Sequence, residues 1–121
     1  VVTGHLLARL GADARVVVTD LQDSMLELAR AKYGNDPRVE FRQADATSLP
    51  FDDRSFEAVV CQFGVMFFAD RLAGLREARR VLTHDGVLLM STWGALADNP
   101  IARTAHEEVA RVLPHNPPTF M

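Results

Sequence analysis

Residues 15–34 read "RVVVTDLQDSMLELARAKYG", from Arg15 to Gly34. Three valines and a threonine make a short β-branched run, which predicts a strand over 15–19. The pattern then changes period at once. Leu21, Met25, Leu28 and Ala29 recur at helical spacing, with Asp23 in the first turn where the helix dipole favours an anion. "YGNDP" at 33–37 closes that helix with glycine, turn formers and proline. Between the two periods stands Asp20, a carboxylate at the end of an apolar strand.

The same alternation runs through the rest of the chain. Residues 1–10 set Val2, Leu6 and Leu10 four apart before Gly11, an amphipathic helix with a glycine stop. Strands are predicted at 39–43, 56–62 ("FEAVVCQ") and 86–93 ("GVLLMSTW"). Between the last two, a helix over 70–82 places Leu72, Leu75, Ala78 and Leu82 on one face, and "THDG" at 83–86 reads as a turn. Asn99 or Asp98 caps a final helix with Pro100 at its first position, running to about Leu113. The tail "PHNPPTFM" reads as irregular.

The strands at 15–19, 56–62 and 86–93 lack the in–out alternation of a sheet with one wet face. Near-continuous apolar runs belong to parallel strands covered on both sides. Strand–helix alternation with short links predicts an α/β fold, a Rossmann-like open, mostly parallel sheet with helices on both faces. In such a sheet a strand precedes the first helix, and here the chain starts inside that helix. The expectation is a single partial domain over 1–121, truncated at both ends.

Ligands of open parallel sheets sit at the carboxyl ends of the strands. Asp20 lies at such an end and can accept from two adjacent ribose hydroxyls. In nucleotide-binding α/β folds that acid follows a glycine-rich loop by about 20 residues. Counting back places the loop immediately before Val1. The plainer alternative is that Asp20 caps the helix starting near Gln22. Asp45, followed by Ala46, also ends a strand and can accept from an exocyclic amine such as that of adenine; alternatively it is a turn residue in "QADATSLP". Gln62 and Phe63 end the next strand and face the same crevice. Three polar groups at successive strand ends form a constellation.

Charge and composition narrow the classes. The 121 residues carry a net charge of −3 and one cysteine, Cys61. An acidic balance argues against a dedicated nucleic-acid binder. No apolar run approaches the roughly 20 residues of a membrane span. One cysteine excludes an internal disulfide framework and fits a reducing, cytoplasmic setting. Arg76, Arg79 and Arg80 read as a solvated helix face, with electrostatic steering of a ligand as the alternative. Cys61 reads as buried packing or a cofactor contact rather than a nucleophile. "HEEVA" at 106–110 lacks the second histidine of a zinc-protease motif, and the four histidines have no ligand spacing, so no metal is expected.

The segments "VVVTDLQDSMLELAR", "FRQADATSLPFDDRSFEAVVCQFGVMFF" and "LREARRVLTHDGVLLMSTW" together resemble the class I S-adenosylmethionine-dependent methyltransferases, nearest to the ubiquinone/menaquinone-biosynthesis branch of small-molecule methyltransferases. The resemblance covers about residues 1–95. It implies that Asp20 binds the cofactor ribose, that Leu21 and Met25 pack near the adenine, and that Asp45 and Ala46 hold the adenine edge. Cys61, Gln62 and Phe63 would line the methionine end, where a small-molecule methyl acceptor enters. "THDG" stands where the family has proline–glycine–glycine, and the glycine-rich loop is not in the chain. No catalytic base, acceptor or oligomeric state is indicated. Two other readings remain at this stage. One is a nicotinamide-dependent Rossmann oxidoreductase, although the short-chain Tyr-x-x-x-Lys pattern is absent because Tyr33 is the sole tyrosine and Pro37 follows four residues on. The other is a non-catalytic truncated domain whose exposed sheet edges pair with a partner.

Overall fold

The computed structural model describes residues 2–113 and 115, and most of the tail read above as irregular lies outside the described residues. The chain divides into two compact units, one through Ser91 and one from Thr92.

The first unit alternates helix and strand as the period changes predict. Helix α1 spans Val2–Leu7, strand β1 Val16–Asp20, helix α2 Asp23–Tyr33 and strand β2 Val39–Gln43. Strand β3 covers Phe56–Gln62, helix α3 Arg71–Val81 and strand β4 Leu82–Ser91. A 3₁₀ turn at Val65–Phe67 follows β3. All pairing between the strands is parallel, β1 with β2 and β3 with β4. Helix α2 packs on β1 and β2, and α3 on β4. This is the mixed α/β architecture with parallel strands expected from the sequence.

Three local features differ from the expectation. The helix over 70–82 starts one residue later, because Asp70 is its N-cap and accepts from the Ala73 N–H at 2.9 Å. The turn "THDG" lies within β4: Leu82 already pairs with Phe56, and the next partners are Ala58 and Val87, so Thr83–Gly86 bulges out of the ladder. In α2 the fully buried side chain is Leu26, while Met25 and Leu28 are 51% and 67% exposed. The inward stripe is Leu26, Ala29, Arg30 and Tyr33, one helical face. Its Arg30 guanidinium lies 5.7 Å from the Phe41 ring centroid, so a cation covers the sheet on this face.

The strands form two separate pairs rather than one continuous sheet. Hydrogen bonding shows which edges are left. Val16 N–H donates to Arg38 O, and Asp20 O accepts from Ala44 N–H, so alternate residues 16, 18 and 20 address β2. Val17 and Thr19 present their backbone groups to the opposite edge. On β3, Phe63 N–H donates to Ser91 O, which by the same alternation turns Ala58, Val60 and Gln62 away from β4. The core is correspondingly small: Leu26, Ala78, Val81 and Leu82 are the buried apolar residues among those described.

The second unit is helix α4, Pro100–Val112, preceded by a 3₁₀ turn at Leu96–Asp98. Asn99 caps it by accepting from the Ala102 N–H, with Pro100 in the first turn, where a missing N–H costs nothing. Among the described residues no helix is long and apolar enough to cross a membrane.

Candidate functional site

Strand ends position the site. The free edges of β1 and β3 border one cavity of about 520 Å³, and its lining includes Asp20, Leu21, Asp45, Ala46, Cys61 and Gln62. Six of the eight residues singled out from the sequence are therefore brought together. Met25 and Phe63 are not among the lining residues. A second depression, about 720 Å³, runs from Leu10 and Ala12 to Asn35–Arg38. It is shallow and lies beside the amino-terminal ends of β1 and β2, the wrong end for a ligand of a parallel sheet.

Asp20 is half-buried at the end of β1. Its Oδ1 accepts from the Gln22 N–H at 2.9 Å, closing an Asx-type turn that starts α2. Gln22, not Asp20, occupies the N-cap position, and its side chain makes no capping bond. Among the described residues nothing donates to Oδ2 of Asp20. Beside it, Gln43 Nε2 donates to Leu21 O at 2.8 Å, fixing the Leu21 backbone against the end of β2.

Asp45 begins the loop after β2. Oδ1 accepts from both the N–H and the Oγ1 hydroxyl of Thr47, each at 2.8 Å. These two bonds, the backbone one first, lower its carboxyl pKa. Ser48 N–H donates to Asp45 O at 3.0 Å, so the turn is closed on itself. As at Asp20, one carboxylate oxygen holds the turn and no described residue donates to the other.

The third strand end is strained. Phe63 has φ of 54°, the left-handed region, which a bulky aromatic residue rarely adopts. Gly64 follows, and a Cβ there would meet Cys61 Sγ at 3.0 Å. The sharp exit turns the chain away after Gln62 and leaves Cys61 half-buried at the cavity wall.

The walls include Phe68 and two residues that the sequence reading did not single out, Phe51 and Phe56. Phe51 and Phe56 meet edge to face at 5.0 Å, and Arg42 lies 5.1 Å from the Phe51 centroid. Phe68 packs over Gly74 so closely that a Cβ there would stand 2.5 Å from the ring. The paired phenylalanines of "FDDRSF" were the available signal, an apolar residue on each side of a polar turn. Arg80 corrects the solvated-face expectation. Its side chain is 31% exposed and bonds back to the loop at 49–53, whereas Arg76 and Arg79 are exposed. No group of three or more His, Cys, Asp or Glu side chains could hold a metal ion among the described residues.

Comparison with known proteins places these residues in context. Residues 2–90 match the family model described as a methyltransferase domain. The chain is 45% identical over 89 residues to a demethylmenaquinone methyltransferase of Clavibacter sepedonicus, covering 73% of this chain and 36% of the relative. It is 34% identical over 119 residues to the ubiquinone/menaquinone biosynthesis C-methyltransferase UbiE of Enterobacter sp. (strain 638), covering 93% of this chain and 47% of that one. The chain thus spans less than half the length of these relatives. Among solved structures, the BH2331 protein of Bacillus halodurans superposes with a TM-score of 0.71 at 28% identity, over 91% of this chain and 47% of its own. The YcgJ protein of Bacillus subtilis gives 0.65 at 29% identity, over 81% and 42%.

Proposed function

The chain belongs to the methyltransferase-domain family, and on that premise we propose that its cleft holds S-adenosylmethionine for methyl transfer to a small-molecule acceptor. One observation carries the reading: two strand-end carboxylates, Asp20 and Asp45, line one cavity, each using one oxygen for its own turn. The donor set fits the cofactor. A ribose diol offers two hydroxyl donors to Asp20, and the adenine edge offers an exocyclic amine to Asp45 beside Ala46.

Leu21 continues the adenine side from the Asp20 turn, with Met25 one helical turn further along α2. Cys61, Gln62 and Phe63 would stand at the methionine end. When bound, the cofactor supplies a methyl group on a sulfonium, an excellent leaving group, so the protein's part is alignment and exclusion of water. The apolar walls from Phe51, Phe56 and Phe68 suit that part. The relatives named above take their names from menaquinone and ubiquinone. A quinone ring methylated on carbon is therefore the first acceptor to try.

Binding of S-adenosylhomocysteine tests the reading. Replacing Asp20 by Ala removes the acceptor for two hydroxyls and is expected to weaken binding by about ten- to a hundredfold, the equivalent of one or two charged hydrogen bonds. Unchanged affinity in Asp20→Ala would leave that carboxylate as a turn residue only.

A further inference from the structure

We propose that Glu77 and Arg80 on α3 are positioning residues that hold the Asp45 loop in the shape that meets the adenine edge. This rests on the cofactor reading above and extends it to two residues outside the strand ends.

Arg80 uses all five guanidinium N–H donors. Nε and Nη2 grip the two oxygens of Glu77, each at 2.7 Å. Nη2 also donates to Leu49 O at 2.9 Å. Nη1 donates to Phe51 O at 2.7 Å and to Asp53 Oδ1 at 2.8 Å. Glu77 completes the clamp from the other side, for its Oε2 accepts from the Leu49 N–H at 2.7 Å. Arg80 O in turn accepts from the Arg54 N–H at 2.9 Å. Leu49 is thereby held at both its N–H and its C=O by a single side-chain pair.

The clamp begins where the Asp45 turn ends. Asp45, Thr47 and Ser48 are bonded to one another, and Leu49 is the next residue. Residues 49–53 belong to no strand, and α3 supplies the side-chain hydrogen bonds to Leu49, Phe51 and Asp53. A planar fork with five donors can satisfy two carbonyls and two carboxylates at once, which a lysine ammonium cannot. Side-chain exposures of 20% for Glu77 and 31% for Arg80 keep the pair partly shielded from water. If the loop were unclamped, a ligand would have to order it on binding, at a cost in backbone entropy. The pair therefore acts on the adenine through the loop, without touching the ligand.

The test uses Arg80→Met, Arg80→Lys and the milder Glu77→Gln, which keeps an acceptor for Leu49. Amide hydrogen exchange reads the loop. Affinities for S-adenosylhomocysteine and for S-inosylhomocysteine, which lacks the exocyclic amine, read the adenine edge. In Arg80→Met the Leu49 amide is expected to exchange at least about tenfold faster, with Leu26 in α2 unchanged. The preference for the adenine ligand is expected to shrink by about tenfold, in line with the loss of one charged hydrogen bond. Arg80→Lys is expected to recover little of either, and Glu77→Gln to fall between. An unchanged Leu49 exchange rate overturns the clamp. Faster exchange with an unchanged ligand preference overturns the positioning role and leaves a structural brace. A wild-type chain that takes up neither ligand overturns the cofactor reading itself, a result separate from either of these.

Discussion

Asp20 ties its own turn with one oxygen and no described residue donates to the other, and Asp45 repeats the arrangement at the next strand end. Both were legible because a carboxylate at a strand-to-helix or strand-to-loop junction interrupts an apolar run, a local signal. Arg80 was not legible. Its partners Leu49, Phe51 and Asp53 lie 27 to 31 residues upstream, and nothing in a helical period distinguishes an arginine that reaches back from one that faces water. A second buttress at this scale is Asp36, whose carboxyl accepts from the side chain and the backbone N–H of Arg38. Those bonds lower its pKa from the usual 3.8 to about 2. Because the folded value is the lower one, the pair's contribution to stability is complete above the unfolded value and is lost as pH falls through about 2. Carboxyl-carbon NMR is expected to show that low midpoint for Asp36 and its return to the ordinary range in Arg38→Gln. A wild-type midpoint at the ordinary 3.8 would contradict the pairing.

At the scale of elements, periodicity located the helices but not always their buried faces. The final helix, Asn99 cap and Pro100 included, follows the sequence signals closely because those signals are local. In α2 the stripe rotates to Leu26, Ala29 and Tyr33, since the sheet below fixes the contact face and period alone does not. The junction of α3 and β4 was misread for a related reason: Leu82 ends the helical pattern yet pairs with Phe56, and the turn residues bulge from the ladder instead of preceding it. Two substitutions probe α3. Asp70→Ala removes the cap on the Ala73 N–H and is expected to cost about 1 kcal/mol in denaturant unfolding. Gly74→Ala gains up to about 1 kcal/mol of helix propensity, but its Cβ meets the Phe68 ring at 2.5 Å. Displacing that ring is expected to cost about 1–3 kcal/mol, so the variant should be the less stable one. A stabilised Gly74→Ala would show that Phe68 moves freely.

For the first unit as a whole, the fold class was readable from the alternation of elements and the apolar strands, and the pairing of strands was not. Pairing depends on packing between segments far apart in sequence, and no residue in a strand specifies which edge it meets. The predicted open sheet is present as two parallel pairs, whose free edges at Val17 and Thr19 and at Ala58, Val60 and Gln62 border the cleft. Val17 and Val60 are half-buried along these edges, and Thr19, Ala58 and Gln62 are exposed. Amides of Val17 and Thr19 should therefore exchange faster than that of Val18, which bonds to β2; equal protection would mean that the β1 edge is covered.

The most direct test of the cofactor reading is a backbone-resolved NMR titration of this chain with S-adenosylhomocysteine, and with NAD in parallel. Resonances of Asp20, Leu21, Asp45, Ala46 and Gln62 are predicted to move with S-adenosylhomocysteine and to stay in place with NAD. Equal or larger shifts with NAD, or no shift at those residues with either ligand, would contradict the assignment of the cleft.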